Sequence, residues 1–155
     1  MKEKTCCFTG HRKIDLPLEI VQQRLENIIT KLVNDGVIYY GAGGALGFDT
    51  VAALTIIKLR ETNPSIKLIL VLPCKEQTKG WNDSDIGIYN YILSQADKVV
   101  YTSEKYYAGC MHKRNRHLVD NSSYCICYLE KDSGGTAYTV NYAINAGLKV
   151  YNILK

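Results

Sequence analysis

Six short, strongly apolar runs separated by stretches of helical periodicity constrain this chain more than any other feature. They lie at 5–9 (TCCFT), 37–41 (VIYYG), 66–72 (IKLILVL), 98–101 (KVVY), 124–129 (YCICYL) and 149–153 (KVYNI). Several are nearly continuous in apolar residues rather than alternating, which is the pattern of parallel strands covered by helices on both faces. Between the first two, Val21, Leu25, Ile28 and Leu32 recur at helical spacing, with Pro17 near the start and Gly36 just past the end. Further helices are predicted at about 47–61, 84–96, 110–121 and 136–146, the last stopped by Gly147. Strand and helix alternating in this way predict one α/β domain over residues 1–155. Its architecture is Rossmann-like and three-layered, a mostly parallel six-stranded sheet with helices on both faces.

The length of 155 residues suits one core, and neither a linker, a repeat nor a low-complexity tract divides it. With 46% hydrophobic and 22% charged residues, disordered and fibrous classes are excluded. The apolar runs fall far short of the roughly 20 residues that span a bilayer, and the N-terminus lacks a signal-peptide core. A cytoplasmic protein with no membrane partner is therefore expected. Six cysteines do not read as a disulfide framework. Cys6 and Cys7 are adjacent on a strand and point to opposite faces, whereas Cys125 and Cys127 share a face as small core residues. The net charge of +4 permits an anionic ligand without demanding one.

In open parallel sheets, ligands sit beyond the carboxyl ends of the strands, where unpaired N–H groups of helix N-termini favour anions. This chain places Gly10, His11 and Arg12 after the first strand and GAGGALGFD (41–49) after the second. Pro73, Gln77 and Trp81 follow the third, Tyr106, Tyr107 and the segment 111–117 the fourth, and DSGGT (132–136) the fifth. Gly41, Gly43, Gly44 and Gly47 join a strand to a helix, a setting in which backbone N–H groups can close on a phosphate or in which glycines simply permit a tight turn. The spacing is neither that of a dinucleotide fingerprint nor that of a P-loop, so a plain nicotinamide dehydrogenase and an ordinary P-loop ATPase are disfavoured. Gly134, Gly135 and Thr136 form a second such turn, with Thr136 as a helix cap or a hydroxyl donor.

Arg114 lies one turn from Met111 and Leu118 and shares their inward stripe, so Arg114 and Asn115 are candidates for phosphate binding. Lys113, Arg116 and His117 read as a solvated basic face, with Arg12 as a further cation at the first loop. His11 is either a phosphate donor or general acid–base group, or a structural cap. Cys110, His112 and His117 are not expected to bind zinc, because residues two apart on a helix diverge, and no metal site is assigned. Trp81 and Gln77 could stack on and hydrogen-bond a base, or Trp81 could be a helix staple. Asp49 could bind a sugar hydroxyl or a cation, or complement its helix N-terminus.

The order CFTGHR at 7–12, GAGGALGFD at 41–49, Pro73 with Gln77 and Trp81, RN at 114–115 and GGT at 134–136 resembles the YpsA-like family of the SLOG superfamily. That superfamily is related to the Lonely Guy phosphoribohydrolases and to the Rossmann domain of the DNA-processing protein DprA. The resemblance covers essentially the whole chain and implies a domain that binds a nucleotide or an ADP-ribose-type ligand. The glycine loop, Arg114 and the GGT turn would surround its phosphate; no cofactor is assigned. Lonely Guy enzymes carry P-G-G-x-G-T-x-x-E, whereas this chain reads SGGTAYT, with Thr139 where the catalytic glutamate would stand.

Binding or sensing of such a ligand, with a regulatory role, is therefore the leading expectation. An N-glycosidic hydrolase acting on nucleoside phosphates or NAD is the alternative, with Asp49, Glu130 and His11 as candidate catalytic groups. Single-stranded DNA binding is a third reading, suggested by the basic segment 112–117, the twelve tyrosines and the DprA relation. Modest charge and the strand positions of Tyr39 and Tyr128 set nucleic acid outside the expected partners. A homodimer is a further expectation from the size of the domain.

Overall fold

Parallel pairing of the apolar runs organises the protein, which a computed structural model describes from Met1 to Lys155. The strands are β1 (Thr5–Gly10), β2 (Tyr39–Ala42), β3 (Lys67–Leu72), β4 (Lys98–Tyr101), β5 (Tyr124–Tyr128) and β6 (Lys149–Asn152). The helices between them are α1 (Leu18–Asn34), α2 (Phe48–Arg60), α3 (Asp83–Gln95), α4 (Cys110–Asp120) and α5 (Gly135–Asn145). All neighbouring strands are parallel, in the order β4-β3-β2-β1-β5-β6. The chain winds outward from β1 to β4 and then returns to lay β5 on the other side of β1. Right-handed crossovers consequently put α1, α2 and α3 on one face and α4 and α5 on the other.

Each face has its own core. On the first, Val21, Leu25, Ile29 and Leu32 of α1 are buried against Phe8, Tyr40 and Phe48. Ile29 takes the place expected for Ile28, which is only half-buried. A helix turning about 100° per residue centres the stripe near Leu25 and leaves Ile28 at its margin. On the second face, Leu118, Val119, Val140 and Ala143 cover Cys7, Cys125 and Cys127. Cys6 belongs to the first core and Cys7 to the second, and all six cysteines are free and buried.

Element boundaries follow local chemistry. At the end of α1, Gly36 adopts a φ of +95° and the Val37 N–H reaches back to the Leu32 carbonyl, a Schellman-type stop. That bond consumes Val37, so β2 begins at Tyr39 rather than at 37. No helix is long and apolar enough to cross a membrane.

Leu25 is fully buried, whereas Glu26 beside it makes only an exposed ion pair with Lys58. Leu25→Ala is expected to lower stability by about 2–5 kcal/mol and Glu26→Ala by less than about 1 kcal/mol. Urea unfolding checks this, and equal midpoints for the two variants would refute the core assignment.

Candidate functional site

The reversal of winding brings the carboxyl ends of β2, β1 and β5 side by side, so three loops predicted to carry chemistry meet at one edge. In the β2–α2 loop, none of the N–H groups of residues 43–47 donates to a backbone carbonyl. Gly44 and Gly47 have φ of +74° and +83°, a conformation that other residues rarely adopt. A side chain on Gly47 would collide with the Arg12 carbonyl, so this glycine lets the β1 and β2 loops touch. The first N–H of α2, from Phe48, donates to the His11 carbonyl and locks the two loops together.

Gly41 and Gly10 have a different role from the one expected. Gly41 lies within β2, where a Cβ would stand 2.9 Å from Leu118 Cδ2. Gly10 ends β1, where a Cβ would stand 2.5 Å from that of Phe48. Both are small because a helix packs closely on the strand, and Gly41 lies in the sheet rather than in the loop.

Arg114 is buried, 4% exposed, as its spacing from Met111 and Leu118 predicted. Its Nη1 donates to the Gly43 carbonyl, its Nε donates to Asn115 Oδ1 at 2.7 Å, and its Nη2 lies 3.6 Å from Met111 Sδ. Asn115 thus orients the guanidinium. Gln77 is also buried: its Nε2 donates to the same Gly43 carbonyl at 3.4 Å, and its Oε1 has no partner. Asp49, in the first turn of α2, turns its carboxylate back to accept the Ala45 N–H at 3.4 Å. Burial pushes Asp49 up from 3.8 to about 6, against the opposing pull of Arg114 and the loop N–H groups. Burial in turn lowers Arg114, with Asp49 holding it up. The loop therefore encloses a guanidinium, a carboxylate and an unsatisfied amide oxygen.

At the β1–β5 junction, His11 Nε2 accepts N–H groups from Glu130 at 2.9 Å and Lys131 at 3.4 Å. Through these two contacts His11 ties the β1 and β5 loops together. The Tyr128 hydroxyl, unsignalled in the sequence, accepts from the Asp15 and Leu16 N–H groups and donates to Glu130 Oε1. No hydrogen bond joins the side chains of Asp49, Glu130 and His11. In the β5 loop, α5 starts at Gly135 with Gly134 as its cap, so Thr136 lies inside the first turn instead of capping it. Thr139, at the position of the missing glutamate, donates its hydroxyl to the Gly135 carbonyl at 2.9 Å.

Trp81 meets Tyr89 edge-on, with ring centroids 5.5 Å apart, beside a small pocket of about 20 Å³ lined by Gly44, Leu46, Asp49, Thr50 and Asp85 among others. Tyr89, which the sequence reading missed, shares a helical face with Asp85 and Ile92, a spacing that could have flagged it. Burial pushes its phenol up to about 12. Pro73 is buried at the end of β3, Arg12 and Lys113 are exposed, and Arg116 and His117 are half-exposed. His112 packs edge-on against Tyr138 at 4.7 Å, and no group of three His, Cys, Asp or Glu side chains is placed to hold a metal ion. A larger cavity, about 380 Å³, lies away from this edge, between α4 and β2–β4.

The sheet order and the helices on both faces define a Rossmann-like α/β domain. The chain belongs to the YpsA family, described as the YspA SLOG family, whose model matches residues 6–153. It is 28% identical, over 155 aligned residues, to the UPF0398 proteins of Bacillus thuringiensis (strain Al Hakam) and Bacillus cereus (strain AH187), with 93% of this chain and 84% of each relative covered. The structure is similar to that of DprA from Helicobacter pylori, with a TM-score of 0.69 and 19% identity over 96% of this chain and 64% of that one. It is also similar to DprA from Streptococcus pneumoniae, with a TM-score of 0.63 and 19% identity over 96% of this chain and half, 50%, of that one. At these identities the likeness is one of fold, over part of each DprA chain.

One expectation is overturned here. Nucleic acid cannot be set aside as a partner class, because the H. pylori DprA that shares this fold is described for its single-stranded DNA binding mode. Tyr39 and Tyr128 do lie in strands, but Tyr106, Tyr107 and Tyr138 are exposed.

Asp49 binds its proton more tightly in the folded than in the unfolded chain, so folding takes up a proton between pH 3.8 and about 6. Its contribution to stability is therefore greatest in acid and is lost as pH rises through that window. Asp49→Asn is expected to remove this slope. The difference in unfolding free energy between wild type and variant, measured in urea from pH 4 to 7, should change by a few kcal/mol, about 3 at most. A flat difference would show that the carboxylate titrates normally.

Proposed function

We propose that this domain binds a nucleotide or nucleotide-derived ligand through its phosphate at the carboxyl edge of the sheet, as a binding or sensing module. The observation that carries the reading is the run of N–H groups at 43–47 without backbone acceptors. It starts a helix, lies above buried Arg114 and borders the unpartnered Gln77 Oε1. Backbone donors and a helix N-terminus suit phosphate oxygens. Hydrolysis by the Lonely Guy route is disfavoured, because the position of its glutamate holds Thr139, engaged within α5.

The test is titration calorimetry of nucleoside mono- and diphosphates, NAD and ADP-ribose into purified protein. At least one ligand is expected to bind, and Gly44→Ala, checked for folding by circular dichroism, is expected to weaken it by about tenfold or more. Silence across the panel would sink the proposal. Free base released from a nucleotide and abolished by Asp49→Ala would replace it with an N-glycosidase.

Single-stranded DNA is a second reading, favoured by a specific surface. Tyr106, Tyr107 and Tyr138 are exposed at the same edge, among exposed Lys105, Lys113 and Lys131. Exposed aromatic rings interleaved with lysines are what a single strand uses for base stacking and phosphate contact. Fluorescence anisotropy with oligo(dT) is expected to show binding that weakens as salt rises, and Tyr106→Ala with Tyr107→Ala to reduce it. Binding that ignores salt, or none, dismisses this reading.

A further inference from the structure

We infer that Asp49 makes the glycine loop selective for phosphate charge: a singly charged phosphate, as in a phosphodiester, is preferred to the doubly charged terminal phosphate of a nucleoside monophosphate. The inference rests on the phosphate-binding reading above and deepens it.

The loop is not an empty ring of donors. Asp49, 7% exposed, folds its carboxylate back onto the Ala45 N–H, so an internal anion already uses part of what a phosphate would use. The positive charge beneath the loop is Arg114, three of whose five N–H donors go to Gly43, Asn115 and Met111. The groups that face Asp49 are Arg114 from α4 and, from α3, Asp85 across the shared cleft and the neutral phenol of Tyr89. From β3 the cleft receives the apolar Leu70. With Asp49 ionised, its carboxylate offsets the Arg114 guanidinium, so the loop offers a phosphate little net positive charge.

Beside a buried carboxylate, where screening is weak, repulsion grows with each charge on the ligand. A terminal phosphate, with a second pKa of about 6, carries two charges above neutrality, whereas a diester carries one. A second feature points to a ligand that also donates. Gln77 Oε1 is buried, has no partner and lies 3.3 Å from where a side chain on Gly44 would stand. It is an acceptor for a ligand hydroxyl or N–H at the same loop, and it repels further negative charge.

The test compares AMP and GMP with their 5′-methyl esters by titration calorimetry, since each pair differs by one methyl group and, at pH 7.5 but not at pH 5.5, by close to one phosphate charge. At pH 7.5 each ester that binds is expected to bind about tenfold or more tightly than its parent. At pH 5.5, where the monophosphates carry mostly one charge and Asp49 is mostly protonated, the gap is expected to close. Asp49→Asn is expected to close it at pH 7.5 by strengthening the monophosphates more than the esters. If that variant fails to fold, the two pH values on the wild type decide. Parent and ester binding equally at pH 7.5, or the parent binding more tightly, overturns the charge selection while leaving the phosphate site standing. No binding of any of the four at either pH overturns the charge selection, and the wider panel of diphosphates, NAD and ADP-ribose then decides whether the phosphate site stands.

Discussion

The return of the chain after β4 to the far side of β1 is the constraint on which the rest of this structure depends. Right-handed crossovers allow helices to change faces only when the winding direction reverses, and the reversal falls between β1 and β5. Loops that follow those strands diverge to opposite faces and leave a crevice between them. Sequences far apart, TGHR at 9–12, GGALG at 43–47 and DSGGT at 132–136, become neighbours for this reason. The tie from His11 to the Glu130 and Lys131 N–H groups and the Phe48 N–H to His11 carbonyl bond hold three of the strand ends in register.

At the β2–α2 loop beside that crevice the energetics are dominated by buried polar groups. Arg114 crosses from α4 to the Gly43 carbonyl, and Asp49 offsets its charge from the opposite side of the loop. Neither group would be stable there alone, because an unpaired ion in a dry environment costs several kcal/mol. Together they fix the loop in a shape that turns its N–H groups away from the backbone. A rigid, partly unsatisfied loop loses little conformational freedom when a ligand completes it, which is what a recognition site requires.

Much of this was legible in residue spacing. The apolar runs located all six strands within about two residues, and the inward position of Arg114 followed from Met111 and Leu118 three before and four after it. Other features were not legible, each for a physical reason. Gly41 and Gly43 look alike in the sequence, yet one makes room for Leu118 in the sheet and the other accepts from Arg114 in the loop. His11 has the same composition of neighbours whether it faces a ligand or ties two loops, and its partners lie some 119 residues away. Which of the twelve tyrosines are exposed depends on packing, and judging them by strand membership misled the reading of partners.

The sequence by itself determined the class of fold, the order of its elements and the set of loops that carry chemistry, because hydrophobic periodicity and turn residues act over short range. Only the tertiary structure decided that Asp49 turns inward to its own loop, that Gln77 Oε1 goes unpartnered, and that Thr139 is engaged within α5. Those outcomes depend on which groups from distant segments compete for the same few hydrogen bonds once water is excluded, and spacing along the chain carries no record of that competition.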